Sequence, residues 1–384
     1  MNIHLATYST RPRGGVVHTL ALAEALARLG HQVTVWSLAR GGDARFFRDV
    51  DPSVMVRIVP FPERDGESVG QRVLRSIAAL RDAVDLTGAD IVHAEDCITA
   101  NALPGCVRTV HHVDAFTTPE LAACHERAIV TPTAHICVSH AVARELRAGW
   151  GIEATVIPNG VDTERFEAAA QPASAPARRS WRQRLGGDPL VLAVGGIEPR
   201  KGSIELLDAL AILRTVRPGV RLVVAGGETL FDYREYRREF DRRVLDLSLD
   251  VEILGPVAHD LLPPLVAGAD VFAFPSVKEG FGLAAMEALA AGVAVVTRDL
   301  PVFREVFGAT VRYGHDGASF AQALASPPDG PRRQAGVALA RRHTWRSAAQ
   351  SHLDFYRRII EPREKGERFL SGRDGPLSPG ALAR

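Results

Sequence analysis

Residues Phe272–Gly292 read FAFPSVKEGFGLAAMEALAAG, and this stretch decides the fold. The apolar run Val271 to Phe274 has the length of a buried strand and stops at Pro275-Ser276. A short loop ends in Glu279-Gly280-Phe281-Gly282, and Leu283 to Ala291 is rich in helix formers and closed by Gly292. Strand, loop and helix in this order leave unpaired backbone N–H groups and the positive end of a helix dipole facing the loop, which suits an anion. Gly280 and Gly282 lack the Cβ that would hold a ligand away from the backbone. Glu279 in the loop and Glu287 on the second helical turn frame this anion site. An ionised carboxylate only accepts hydrogen bonds, so beside a phosphate each glutamate suits hydroxyls, and a vicinal diol above all. A ligand with a diphosphate centre and a sugar at each end uses every part of the element. That describes a nucleotide sugar.

Outward from this stretch the chain alternates strands and helices. In the first half, strands are expected at Ile3–Tyr8, Val33–Leu38, Val54–Val59, Ile91–His93, Val107–His111, His135–Val138 and Thr155–Ile157, mostly with helical patterns between them. A second series begins near Leu190, with strands at Val191–Val194, Arg221–Ala225, Val251–Leu254, Val271–Phe274, Val293–Thr297 and Thr310–Arg312. Alternation of this kind predicts an α/β fold of two doubly wound, Rossmann-like domains, each a parallel sheet covered on both faces. The expected division is a first domain over 1–165, a linker over 166–189 carried by the small-residue, Pro-containing run Ala168–Ser180, and a second domain over 190–343. A last amphipathic helix follows over 344–361, then a charged, Gly- and Pro-bearing tail over 362–384 expected to be disordered. Ligands of doubly wound folds bind at the carboxyl ends of the strands, and every candidate motif falls just after a strand.

Composition narrows the function classes. At 46% hydrophobic, 24% charged and net charge +1, the 384 residues read as an ordinary globular protein of two or three domains. The near-neutral balance argues against nucleic-acid binding, which needs a basic field. No apolar run approaches the roughly 18 residues of a membrane-spanning helix, and MNIHLATYST lacks the charge and apolar pattern of a secretory signal. Cys97, Cys106, Cys124 and Cys137 form no C-x-x-C pair; read as free buried thiols, they point to a cytoplasmic location.

The string around Glu279 and Glu287 resembles the E-x7-E element of retaining GT-B glycosyltransferases, especially glycosyltransferase family 4 (glycosyl transferases group 1). The resemblance implies two facing domains with a cleft between them, a C-terminal helix crossing back onto the first domain, and a donor site mainly in the second. It implies that Glu287 holds the ribose diol, that Gly280, Phe281, Gly282 and Leu283 meet the diphosphate and sugar, and that Glu279 grips a sugar hydroxyl. In the loop GGIEPRKGSIELL, Lys201 matches the lysine that similar enzymes place against the diphosphate. Gly196 stands where they carry an arginine, a departure that leaves Arg200 as the alternative reach to phosphate. In RPRGG, the Gly14-Gly15 backbone is implied to approach the donor phosphate or the acceptor. Family 4 enzymes carry a histidine at the end of the strand that here is Val107–Val110; His111 matches by position and His112 competes. The reaction implied is sugar transfer from a UDP- or GDP-sugar to an acceptor, which is a sugar, lipid or small molecule, with retention and without a cofactor or metal.

Other motifs were weighed against blander readings. His111, His112 and Asp114 form a possible metal set, but adjacent strand residues point to opposite faces and cannot easily share one ion. Asp49-Val50-Asp51 spells D-x-D but reads as a surface turn. The helix bearing Arg72, Arg75 and Arg81 reads as an ordinary surface helix, with weak peripheral membrane contact as the alternative. A nucleotide-sugar hydrolase, epimerase or glycoside phosphorylase on the same fold, and a non-catalytic nucleotide-sugar binder, share most of these residues. An NAD-dependent oxidoreductase would need the glycine fingerprint that RPRGG lacks.

Overall fold

Residues 1–40, 42, 44–114, 118–226 and 233–364 are described by the computed structural model. In the first half, β1 (Asn2–Ala6), α1 (Gly14–Arg28), β2 (Gln32–Arg40), β3 (Val54–Phe61), α2 (Val69–Ala83) and β4 (Ile91–Ala94) follow in order. They continue as α3 (Cys97–Ala102), β5 (Val107–Val110), α4 (Pro119–Val130), β6 (Ala134–Cys137), α5 (His140–Trp150) and β7 (Thr155–Val156). The strands form one seven-stranded sheet, ordered β3-β2-β1-β4-β5-β6-β7, paired in parallel. Residues such as Ile3, Leu5, Val35 and Ile136 are fully or almost fully buried, as in a parallel sheet covered on both faces. The strand order turns at β1 and β4, so the crevice above their carboxyl ends is where a doubly wound sheet takes ligand.

Two helices, α6 (Thr163–Ala170) and α7 (Ala175–Leu185), lead to the second half. It contains β8 (Leu190–Val194), α8 (Ser203–Val216), β9 (Arg221–Ala225), α9 (Arg234–Asp246), β10 (Val251–Gly255) and α10 (Leu262–Ala267). After these come β11 (Val271–Phe274), α11 (Leu283–Ala290), β12 (Ala294–Arg298), α12 (Pro301–Phe307), β13 (Arg312–Gly314) and α13 (Gly317–Ala325). The six strands again pair in parallel, in the order β10-β9-β8-β11-β12-β13. Helices α14 (Gly330–Arg342) and α15 (Trp345–Glu364) complete the chain.

The last helix does cross back. Leu353, Phe355 and Tyr356 of α15 share one apolar cluster with Ile3, Leu20 and Leu26 of the first domain. Burying side chains of this kind stabilises by about 1.5–3 kcal/mol each. Where the chain crosses itself, Gly160 packs on the start of α15; a Cβ built there would lie 2.4 Å from the backbone nitrogen of Trp345. A second tie is electrostatic. The Glu305 carboxylate on α12 accepts hydrogen bonds of 2.7 and 2.9 Å from the backbone N–H groups of His140 and Ala141, at the positive end of α5. An apolar cluster holding Val110, Val138 and Val142 together with Phe274, Phe281 and Phe303 joins the two halves beneath the cleft.

Three expectations change. The run Ala168–Ser180, read as a linker or flexible loop, is helical within α6, a 3₁₀ turn and α7. Its alanines favour helix, and its prolines fall in the first turns of their helices, where the missing N–H costs nothing. The final strand starts at Arg312 rather than Thr310, because Gly308–Thr310 closes a 3₁₀ turn with the Thr310 hydroxyl donating to the Phe307 carbonyl at 2.7 Å. Helix α15 runs to Glu364, past the expected end; the rest of the tail, 365–384, lies outside the described residues.

Candidate active site

The loops after β8 and β11 lie on each other. Gly202 adopts the left-handed conformation (φ +64°), and a Cβ there would stand 2.3 Å from the carbonyl oxygen of Pro275. This close approach sets Lys201 and Arg200, just before Gly202, beside Glu279, just after Pro275. The Lys201 ammonium donates to Glu279 Oε1, the Arg200 guanidinium donates to the same oxygen at 3.1 Å, and the Ser276 hydroxyl completes the set at 3.3 Å. Arg200 also reaches Glu198 at 2.9 Å. Burial would raise Glu279, but the Lys201 and Arg200 charges outweigh it and hold the carboxyl down at about 2. Arg200, the alternative to the arginine missing at Gly196, therefore belongs to the same charge network as Lys201.

Beyond Glu279 the chain enters α11 through Gly282, whose φ of +95° and neighbours Phe274 and Phe307 leave no room for a side chain. No side chain caps this helix, so the N-terminal end of α11 is open to an incoming acceptor of hydrogen bonds. Phe281 is buried at 2% exposure, which leaves its backbone rather than its ring to face the cleft. Glu287 points out one turn further on. Burial pushes it up to about 7, opposed by the charge of Arg165 and assisted by Asp162. Arg165, from α6, is itself held by the carbonyl of His259 at 3.2 Å, and the His259 ring packs edge-on against Phe47 of the first domain.

From the opposite side comes the end of β5. A Cβ on Gly280 would stand 1.5 Å from the carbonyl oxygen of His111, so the second-domain loop is pressed onto the first-domain strand end. The His111 ring lies 3.8 Å from where a Cβ on Gly15 would be, which brings the N-terminus of α1 to the same point. Its Nε2–H donates to Glu95 Oε2 at 3.3 Å. Glu95 in turn stands 3.5 Å from Nε2 of His18, whose Nδ1–H donates to Asn159 at 2.9 Å. The lone pair left on His18 Nε2 stands near the carboxyl without a hydrogen bond to it. Burial pushes Glu95 up to about 7, and burial likewise pulls His18 and His111 down to about 3, so both rings are neutral at pH 7. The ligand atoms of His18, Glu95 and His111 lie within 4.8 Å of one another, close enough to share an ion, and His18 Nε2 and Glu95 Oε1 are buried without a hydrogen-bond partner. His112 points the other way, to Asp114 at 3.2 Å, so the two adjacent histidines do take opposite faces.

Comparison with known proteins agrees with this architecture. Residues 12–165 match the sequence profile of Glycosyltransferase Family 4, and residues 178–325 match that of Glycosyl transferases group 1. The phosphatidyl-myo-inositol mannosyltransferase of Mycobacterium tuberculosis is 30% identical over 79% of this chain and 78% of its own length. The chain belongs to glycosyltransferase family 4. The D-inositol 3-phosphate glycosyltransferase of Xylanimonas cellulosilytica is a further relative, 29% identical over 92% of this chain and 94% of its own. Among solved structures, sucrose-phosphate synthase from Thermosynechococcus elongatus covers 94% of this chain and 99% of its own at a TM-score of 0.74 and 19% identity. Anabaena HepE in complex with UDP covers 93% and 100% at a TM-score of 0.69 and 19% identity. The fold of this family 4 protein is GT-B, and the chain is a glycosyltransferase.

Several groups in this family 4 site escaped the sequence reading: Glu95, His18, Asn159 and Arg165. Glu95 carried a signal, since HAED directly follows the apolar run of β4. Other motifs resolve into local structure. Asp51 accepts from the Ser53 backbone and hydroxyl at 3.0 and 2.6 Å, closing the surface turn expected for Asp49-Val50-Asp51. On α2, Arg75 is clamped by Glu67 at 2.6 and 2.7 Å and stacks over Phe61, while Arg81 donates to the Asn101 carbonyl, so these two basic groups are spent inside the domain. All four cysteines are free thiols. A surface cavity of about 660 Å³, lined by His4, Trp36, Met55 and Asp85, lies apart from every residue named above as part of the site. No described helix is long and apolar enough to cross a membrane.

Proposed function

We propose that this cytoplasmic family 4 enzyme transfers a sugar from a UDP- or GDP-sugar to a hydroxyl of a phosphate-bearing inositol, with retention of configuration and without a divalent metal. The acceptor follows the names of the relatives, one acting on D-inositol 3-phosphate and the other on phosphatidyl-myo-inositol. The donor class follows the site and the UDP complex of the Anabaena neighbour. The observation that carries the reading is the meeting of Glu279, Lys201 and the open N-terminus of α11 with His111 across the Gly280 contact.

In this reading the α11 amides and Lys201 take the diphosphate and stabilise the charge that builds on it as the bond to the sugar breaks. Glu287 accepts from the ribose diol. Glu279, held ionised, accepts from a sugar hydroxyl while Lys201, with three donors, serves both carboxylate and phosphate. Neutral His111 faces the transferred sugar from the first domain, and the Gly280 contact excludes water that would compete with the acceptor. Of the cleft carboxylates other than Glu287, Glu279 and Glu198 are both bound by cations. They therefore position the sugar rather than attack it, and same-face transfer passes the acceptor proton to the departing phosphate oxygen.

The test is nucleotide release from UDP- and GDP-sugars in EDTA, with and without D-inositol 3-phosphate. The expected result is acceptor-dependent release of UDP or GDP. Equal release without acceptor would make the chain a hydrolase, and no release with any donor would favour a binding role.

A further inference from the structure

The carboxyl end of the first sheet carries a crowd of arginines that the roles above leave unused. Arg40 is the last residue of β2, Arg13 is the N-cap of α1, Arg11 lies in the loop before it, and Arg72 sits in the first turn of α2. Arg40 stacks over Tyr8, which follows β1, with its guanidinium carbon 5.5 Å from the ring centroid. Burial and the charges of Arg72, Arg13 and Arg11 together pull Arg40 down to about 10, against the pull of Tyr8. Among the described residues, Arg13 and Arg40 form no ion pair, and Nε of Arg13 is buried without a hydrogen-bond partner. Two guanidinium groups without a carboxylate partner, those of Arg13 and Arg40, are costly in a partly buried corner unless an anion is bound there.

The place of the corner selects the anion. Tyr8 and Arg40 stand at the carboxyl edge of the first sheet, the edge that also carries His111 after β5, so the arginines lie on the cleft side of the domain. Arg13 precedes Gly14-Gly15, and Gly15 lies against the His111 ring. The diphosphate of the donor has its own seat at α11 and Lys201. A second, separate anion next to His111 is a group on the acceptor. We propose that Arg13 and Arg40 form a phosphate-binding subsite that selects acceptors bearing a phosphate monoester or diester and sets their hydroxyl toward His111. Guanidinium forks match phosphate oxygens in pairs, which explains arginine rather than lysine at both positions. This inference rests on the acceptor reading above.

The experiment is steady-state kinetics on the full chain with a donor that it turns over, in two arms: D-inositol 3-phosphate in solution, and vesicles containing phosphatidylinositol. Arg40→Gln and Arg13→Gln are expected to raise the KM for the phosphate-bearing acceptor by about 10- to 100-fold, the loss expected for one charge-assisted hydrogen bond. The donor KM should stay within roughly twofold, and Arg40→Lys should recover part of the loss. Arg40→Gln should melt no lower than the wild type, since it removes like-charge crowding, so weak activity cannot be put down to misfolding. The arm in which the shift occurs identifies a soluble or a lipid-borne phosphate. If the wild type is active and the acceptor KM is unchanged, or the donor KM rises instead, the subsite is refuted while the acceptor reading stands. If the wild type uses neither phosphate acceptor but transfers to unphosphorylated inositol, both fall.

Discussion

Gly280 and His111 belong to different domains, yet no methyl group fits between them: a Cβ on the glycine would lie 1.5 Å from the histidine carbonyl oxygen. This contact fixes how far the second-domain loop advances over the first-domain strand end. Gly280→Ala must push the domains apart, because the obstacle is backbone rather than a movable side chain. Its expected effect is a fall in kcat/KM of about 100-fold or more, as misplacement by an ångström can cost in an assembled site. Each domain has apolar clusters of its own beside the one they share, so the melting temperature should fall by several degrees rather than collapse. Wild-type activity in this variant would show that the contact does not form during turnover.

Lys201 is the nearest cation to Glu279 and, in the proposed function, the one that meets phosphate. Lys201→Ala should lower kcat by about 10²–10³-fold, the range for losing one group that stabilises developing charge. Lys201→Arg, which keeps the charge but not the point geometry, should be intermediate. A change confined to donor KM would mean that the lysine only binds.

Glu287 gives a pH dependence with a definite sign. Its carboxyl is raised to about 7 in the free protein, and in the proposed role ribose hydroxyls donate to its ionised form. Nucleotide binding must therefore release a proton below that value. Affinity for the nucleotide should weaken by up to about tenfold for each unit the pH falls below about 7, and level off above it. Calorimetric heats that vary with the ionisation enthalpy of the buffer would show the proton release. Equal affinity at pH 5.5 and pH 8 would rule this assignment out.

Glu95 separates a carboxyl that is needed neutral from one needed charged. Glutamine keeps a neutral oxygen to accept from His111, so Glu95→Gln should fold and retain activity, whereas Glu95→Ala leaves the His111 N–H without its partner and should lose about 1–3 kcal/mol. The folded-state value is raised above that of the unfolded chain, so the wild-type group loses stability as pH rises towards about 7. The stability gap in favour of Glu95→Gln should therefore widen from pH 5 to pH 7 and then hold constant, as read by urea melts at each pH.

The fold was legible because its strands are short unbroken apolar runs, and because strand-ending loops carry Gly280, Gly282 and Gly202 where backbone approaches backbone. Glu279 and Lys201 were legible because each lies in the loop after a strand and near glycines, and Glu287 because it stands out on a helix otherwise made of Ala, Leu and Met. The buried cluster was not. His18, Glu95 and Asn159 lie on separate segments of the chain, and Tyr356 of α15 reaches His93 of β4 at 2.6 Å, pairings that only tertiary structure makes. Arg165 sits in a helix at the edge of the run expected to be a linker, where the prolines after it outweighed the helical propensity of its alanines. The arginine corner was missed because Arg11, Arg13, Arg40 and Arg72 look like separate surface charges until the sheet order places β1, β2 and α2 side by side.

The most direct measurement is calorimetric titration of the wild type and of Glu287→Ala with UDP-, GDP- and ADP-sugars in EDTA. The account predicts saturable binding of at least one donor without metal, weakened about tenfold or more by the substitution, as losing hydrogen bonds to a charged group requires. Binding that is absent in the wild type, or that Glu287→Ala leaves untouched, would contradict it.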